Sequence, residues 1–264
     1  MDKKIINAEE LKHIQLEILS DIADFCEQNQ IKYFLAYGTL IGAIRHKGYI
    51  PWDDDIDICM PRPDYEKFLS LYNKKKSDYK VVAFELDDTY KLPFAKVNDT
   101  RTVMWETMYD QDVFGVYIDV FPIDGCDKDG NVICQNTKLG QYLNAKKAIL
   151  GKGRSFKKNC IIAMGKCLLV FTSVKTLLKK MQKMSTIVSY DKAEYVANIM
   201  YSYGKNEIMK KSELGETIFG EFEGRQYRIP KEYHKYLTQI YGDYMQLPPE
   251  DKRMSTHTFK AWWK

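Results

Sequence analysis

The stretch Pro51-Trp52-Asp53-Asp54-Asp55-Ile56-Asp57-Ile58 puts four carboxylates into five consecutive positions and then returns to apolar residues. If residues 55–58 are extended, side chains alternate between the two faces of the strand. Asp53, Asp55 and Asp57 then point one way, and Ile56 and Ile58 pack the other. A row of carboxylates repels itself and needs a counter-charge, and hard divalent cations such as magnesium or calcium prefer oxygen donors. A solvated acidic turn is the simpler alternative for a bare run of aspartates. Two features weigh against it: the carboxylates run into a strand-like apolar stretch, and a glycine turn lies upstream.

That turn is Tyr33-Phe34-Leu35-Ala36-Tyr37-Gly38-Thr39-Leu40-Ile41-Gly42. Residues 33–37 read as a short buried strand, broken at Gly38-Thr39, with helical turns over 40–47 ending at Gly48. Thr39 fits an N-cap, and Gly38 admits a ligand close to the backbone. A strand, a glycine turn and a helix N-terminus together favour an anion such as phosphate. Farther on, alternation over residues 116–120 sets Asp119 opposite Ile118 and Val120. An aspartate in so apolar a run is costly to bury unless paired or metal-bound, so it is either a salt-bridged strand residue or a third ligand. Asp124 reads as a supporting carboxylate or a turn residue. Arg45, Lys96 and Arg101 are the cations that could neutralise phosphate, each with surface charge as the alternative. Lys96 stands out because it interrupts an apolar strand.

The segment AYGTLIGAIRHKGYIPWDDDIDI resembles the signature of the LicD family, bacterial phosphorylcholine transferases related to the fukutin-type transferases. Pro93-Phe94-Ala95-Lys96-Val97 with Thr100 resembles a second motif of that family, and Val116 through Asp124 a third. Tyr227-Arg228-Ile229-Pro230, Tyr241-Gly242-Asp243-Tyr244 and Leu247-Pro248-Pro249 resemble its C-terminal signature. The likeness runs from about residue 10 to about 260, with no motif between 130 and 210. It implies an α+β fold with a polymerase-β-type nucleotidyltransferase-like core, a mixed sheet flanked by helices and a mainly helical insert. It further implies that Asp55, Asp57 and Asp119 are catalytic and hold one or two Mg2+ ions, with Gly38, Thr39, Arg45 and Lys96 at the substrate. The implied donor is a CDP-alcohol, CDP-choline foremost. The implied acceptor is a sugar hydroxyl of a teichoic acid or other surface-glycan precursor, with CMP released. A nucleotidyltransferase attaching a nucleoside monophosphate would use the same carboxylates. A non-catalytic nucleotide- or lipid-binding protein, or a membrane-associated scaffold, is the reading from other classes.

The elements that must hold these residues follow from periodicity. Asn7 with Glu10 starts an amphipathic helix through about Asn29, with Leu11, Ile14, Ile18, Ile22 and Phe25 as its buried stripe. Pro63 opens a helix buried through Tyr65, Phe68, Leu69 and Tyr72. Strands are expected at 79–86, 94–97, 102–105 and 116–121. From Asn131 the texture turns helical, broken at Gly151-Lys152-Gly153-Arg154, with an apolar run over 160–170 too short and too charged to span a membrane. The expected division is a catalytic core at 1–129, a basic helical insert at 130–210 and a C-terminal segment at 211–264 that completes the core. Arg253, His257, Trp262 and Trp263 are candidates to cover the site, and Trp52 reads first as core support, with bracing of the acidic loop or stacking on a base as the alternatives.

The chain of 264 residues carries a formal charge of +4. Twelve Lys or Arg and no Asp or Glu lie between Gly130 and Tyr190, so −8 remains for the rest. A basic segment on an acidic body suits an anionic membrane better than nucleic acid, for which no motif is present. The N-terminus MDKKIINAEE has no apolar stretch behind its lysines. Six cysteines show no CxxC spacing and four histidines no metal-ligand spacing, which points to reduced thiols and no zinc site. The expected location is cytoplasmic, at or near the inner face of the membrane.

Overall fold

The computed structural model describes residues 3–106, 114–148, 155–201, 203–254 and 259–264. The chain is α+β, built on a mixed sheet with helices packed against it. After β1 (Ile5–Ile6), Asn7 caps α1 (Ala8–Gln28), its Oδ1 accepting the Glu10 N–H at 2.8 Å. Leu11, Ile14, Ile18, Leu19 and Ile22 form the helix's buried stripe, as their spacing requires; Phe25 is only half-buried at its edge. β2 (Phe34–Leu35) leads into α2 (Tyr37–Arg45), and β3 (Asp57–Pro61) into α3 (Arg62–Leu71). In and just after α3, Tyr65, Phe68, Leu69 and Tyr72 are all buried.

Next come β4 (Tyr79–Val82), β5 (Ala95–Asp99), β6 (Thr102–Glu106) and the long β7 (Tyr117–Cys126). The expected strand over 79–86 stops at Val82, because the chain turns at Ala83, whose carbonyl accepts from Leu86 and Asp87. The main sheet runs β2-β3-β7-β5-β4, with β3 and β7 parallel and the other neighbours antiparallel. Its central strand β7 is buried along most of its length, and α1 and α3 pack against it.

Three helices follow: α4 (Asn131–Lys147), α5 (Phe156–Leu168) and α6 (Val174–Ser185), the last capped by Ser173. The glycine break expected over 151–154 lies outside the described residues. β8 (Tyr195–Ala197) extends the sheet from the far end of β7, and β9 (Met209–Lys210) pairs with β8. After α7 (Lys211–Leu214), β10 (Thr217–Phe222) and β11 (Arg225–Pro230) form a hairpin, and α8 (Tyr233–Tyr241) ends at Gly242 with φ 71°. β12 (Phe259–Trp263) lies between β1 and β6, tying the two ends of the described chain into one small antiparallel sheet. Among the described residues no helix is long and apolar enough to cross a membrane.

Candidate active site

Three adjacent strands place Asp57, Asp119 and Lys96 in one row. Asp57 on β3 is abreast of Asp119 on β7, which is abreast of Lys96 on β5. Directly paired residues share a face, and the alternating neighbours Ile58, Val97, Ile118 and Val120 are buried on the other. Lys96 is itself buried, its Nζ 2.6 Å from Asp119 Oδ1 and 3.3 Å from the centre of the Tyr117 ring. Burial, then the charges of Asp55, Asp119 and Asp53, push the Asp57 carboxyl well above the ordinary range, against the opposing pull of Lys96.

The acidic loop itself is not strand. β3 begins at Asp57, because residues 53–56 form an irregular segment after the turn at Pro51-Trp52. There the carboxylate oxygens of Asp53, Asp54 and Asp55 come within 4.8 Å of one another. Buried Gln15 on α1 holds this loop: its Nε2 donates to the Asp54 carbonyl at 2.9 Å and to the Tyr117 carbonyl at 3.3 Å, while its Oε1 accepts from Tyr49 at 3.0 Å.

The glycine turn serves the acids directly. A Cβ on Gly38 would sit 2.7 Å from Asp53 Oδ2, so the missing side chain makes room for that carboxylate at the start of α2. Negative charge is favoured there. Thr39 does not cap the helix as expected. The helix starts three residues earlier, after Ala36, and Thr39 Oγ1 accepts the Asp57 N–H at 2.8 Å. Tyr37 makes the earlier start with φ 49°, a left-handed conformation rare for a non-glycine residue. Its hydroxyl donates to Glu207 Oε2 at 3.0 Å and accepts from Asn198 Nδ2 at 2.8 Å. Glu207 also accepts the Tyr203 N–H at 2.5 Å, and burial raises its pKa to about 8.

An aromatic wall stands beside the acids. Tyr201 stacks on Phe121 at 6.0 Å and meets Phe94 edge-on at 5.1 Å; Tyr203 lies against Tyr37 and Tyr241. Both tyrosines are more than half exposed. Burial raises their phenol pKa values, and the nearby charge of Asp57 raises both further, with Asp119 also acting on Tyr201.

Other sequence candidates lie apart from this row. Arg45 is at the far end of α2, about 10 Å along the helix from Gly38, and its Nη1 donates to the Tyr244 carbonyl at 2.6 Å. Arg101 pairs with the buried Asp99 at 2.6 Å. Asp124 is a strand residue in a buried bidentate pair with Arg62, at 2.6 and 2.8 Å. Trp52 is partly buried against the core, with Arg253 over its ring at 5.7 Å. Trp262 and Trp263 belong to β12, beside Lys3 and Lys4, and His257 lies outside the described residues. Gln15, Asn198 and Glu207 were not found from sequence, because a lone amide or acid carries no spacing signal. Two cavities of about 320 and 670 Å3 open elsewhere, and neither is lined by Asp55, Asp57, Asp119 or Lys96.

A hard divalent cation fits this donor set. The ligands would be carboxylate oxygens only, and Asp57 suffers from like charge that a cation would relieve. Asp55 belongs to the loop trio and also acts on Asp57, so it links the loop to the row.

Residues 30–150 match the family model described as LicD/FKTN/FKRP, nucleotidyltransferase domain. A lipopolysaccharide cholinephosphotransferase LicD of Haemophilus influenzae is 31% identical over 269 residues, covering 98% of this chain and 99% of the relative. Uncharacterised proteins of Rickettsia typhi and Rickettsia prowazekii are 40% and 44% identical over 55 and 48 residues, 21% and 18% of this chain and 18% of each relative.

Proposed function

The chain belongs to the LicD family and is a transferase, and from that premise we propose that it moves phosphocholine from CDP-choline to a sugar hydroxyl of a cell-surface glycan precursor. The observation that carries the reading is the row Asp57–Asp119–Lys96 with Asp55 beside it. The row resembles the pattern of a polymerase-β-type nucleotidyltransferase core, two carboxylates on one strand and a third on a neighbour, with the difference that Asp55 stands two residues before β3. Asp55, Asp57 and Asp119 would hold one or two magnesium ions. Bound there, magnesium would neutralise donor phosphate oxygens and ease in-line displacement.

The protein's own groups account for the rest. The acceptor oxygen attacks the choline-bearing phosphorus, the bond to the CMP phosphate breaks, and the hydroxyl proton passes to a carboxylate of the cluster. Lys96 fixes the Asp119 carboxylate and balances its charge. Thr39 sets the height of Asp57 on β3, and Gly38 leaves Asp53 its place. Tyr201 and Tyr203 favour choline over neutral alcohols such as ribitol or glycerol, because a quaternary ammonium is attracted to aromatic faces.

The acceptor is a teichoic acid or another surface glycan, and the relative's name adds lipopolysaccharide as a candidate of the same class. Mass analysis of the acceptor after reaction separates the chemistries. A phosphocholine increment with CMP released is expected. A nucleoside monophosphate increment with pyrophosphate released from CTP would establish the nucleotidyltransferase alternative instead.

A further inference from the structure

α5 turns an apolar stripe outward. Phe156, Ile161 and Met164 are 82%, 64% and 64% exposed, and Cys160 and Cys167 are exposed beside them. At 3.6 residues per turn these five and Lys157 fall within roughly 140° of the helix circumference. Val170 and Phe171, at 61% and 100% exposure, continue the patch past the helix end. The helix packs on α4 through its other side, where a Cβ on Gly165 would meet Ala145 at 3.5 Å. A helix on a globular surface normally turns its large apolar side chains to the core; α5 presents Phe156, Ile161 and Met164 to solvent.

The surrounding charge narrows what covers the stripe. Lys138, Lys157, Lys179, Lys180 and Lys183 are exposed on α4, α5 and α6, and residues 130–190 contain no acid. Lys146, Lys147 and Lys175 are engaged internally, with the Leu169 carbonyl, the Lys91 carbonyl and Asp88. A second copy docking here would set these exposed lysines against their own counterparts, with no acid in the segment to offset them. A nucleic acid would leave the apolar stripe without a partner. An anionic bilayer satisfies both features, with headgroups for the lysines and the acyl boundary for Phe156, Ile161, Met164 and Phe171. We infer that α5 lies in the interface plane of an anionic membrane, steadied by the lysines of α6. At 13 residues the helix rests on the bilayer and does not cross it. The enzyme would thereby be held where a lipid-borne acceptor is presented.

Vesicle co-sedimentation of the full chain tests this without turnover, so its failure leaves the phosphotransfer reading standing. Binding is expected to phosphatidylglycerol-containing vesicles and not to pure phosphatidylcholine, and it should weaken between about 0.05 and 0.5 M salt. Replacing Lys179, Lys180 and Lys183 together by Gln should weaken binding roughly 100-fold. Ile161→Glu with Met164→Glu should weaken it roughly tenfold or more. Both sets change exposed side chains, and circular dichroism checks that they fold. Absence of vesicle binding at low salt, or binding unchanged in both variants, would overturn the inference. So would a wild-type dimer in sedimentation that Ile161→Glu dissociates.

Discussion

Asp57 sits among like charges, and its replacements separate charge from shape. Asp57→Asn keeps the volume and the Thr39 contact, which is made by the backbone N–H. Melting temperature without metal should hold or rise as repulsion is relieved, while turnover falls by roughly 100-fold or more. A variant that melts earlier and still turns over would mean that Asp57 serves only the fold.

Lys96 is a different case. It is buried on Asp119 and does not snorkel to solvent, so Lys96→Met removes the cation of a buried pair. The expected loss is about 3 kcal/mol of stability, partly restored by added magnesium, which thermal melts with and without the ion would detect. Equal loss with and without magnesium would count against a cation beside Asp119. On the aromatic wall, Tyr201→Ala should raise the KM for CDP-choline roughly tenfold and leave a neutral CDP-alcohol unaffected, whereas Tyr201→Phe should retain most of the affinity.

The strand–turn–helix around Gly38 shows what the sequence conveys about elements and where it stops. Periodicity located α1, its Asn7 cap, α3 and the strands that carry Lys96 and Asp119, because each has an apolar face of regular period. It misplaced the start of α2, since Tyr37 in a left-handed conformation is held by Glu207 and Asn198, which are distant in sequence. It extended β3 back to Asp55, because alternation cannot distinguish a strand from an irregular segment pinned by a far amide, here Gln15. The small sheet joining β1, β12 and β6 was invisible for a different reason: two-residue β1 has too few positions to show a period. Gly38→Ala would test the turn. The clash falls on the movable Asp53 carboxylate, so folding should survive while magnesium affinity drops, as measured by calorimetry. Unchanged affinity would remove Asp53 and Gly38 from the metal loop.

Across the whole molecule, buried acids give stability a pH slope. Glu207 has its pKa raised by burial to about 8, and Glu85 to about 7. From the unfolded value near 4.5 upward, the unfolded chain gives up a proton that folded Glu207 keeps. The contribution is complete below that value and disappears as pH rises through about 8. Urea titrations from acid to mildly alkaline pH should show Glu207→Gln flattening the decline, by at most on the order of 5 kcal/mol. At the same scale the division of charge into an acidic body and a basic helical region was plain from sequence, whereas the outward stripe of α5 needed the packing of α4. The measurement that bears most directly on the phosphotransfer reading is the rate of CMP release from CDP-choline in the presence of a glycan acceptor, with magnesium and with chelator, for wild type and Asp57→Asn. Release that requires magnesium in the wild type and is lost in the folded variant is the predicted result. Equal release under chelation, or by Asp57→Asn, would contradict it.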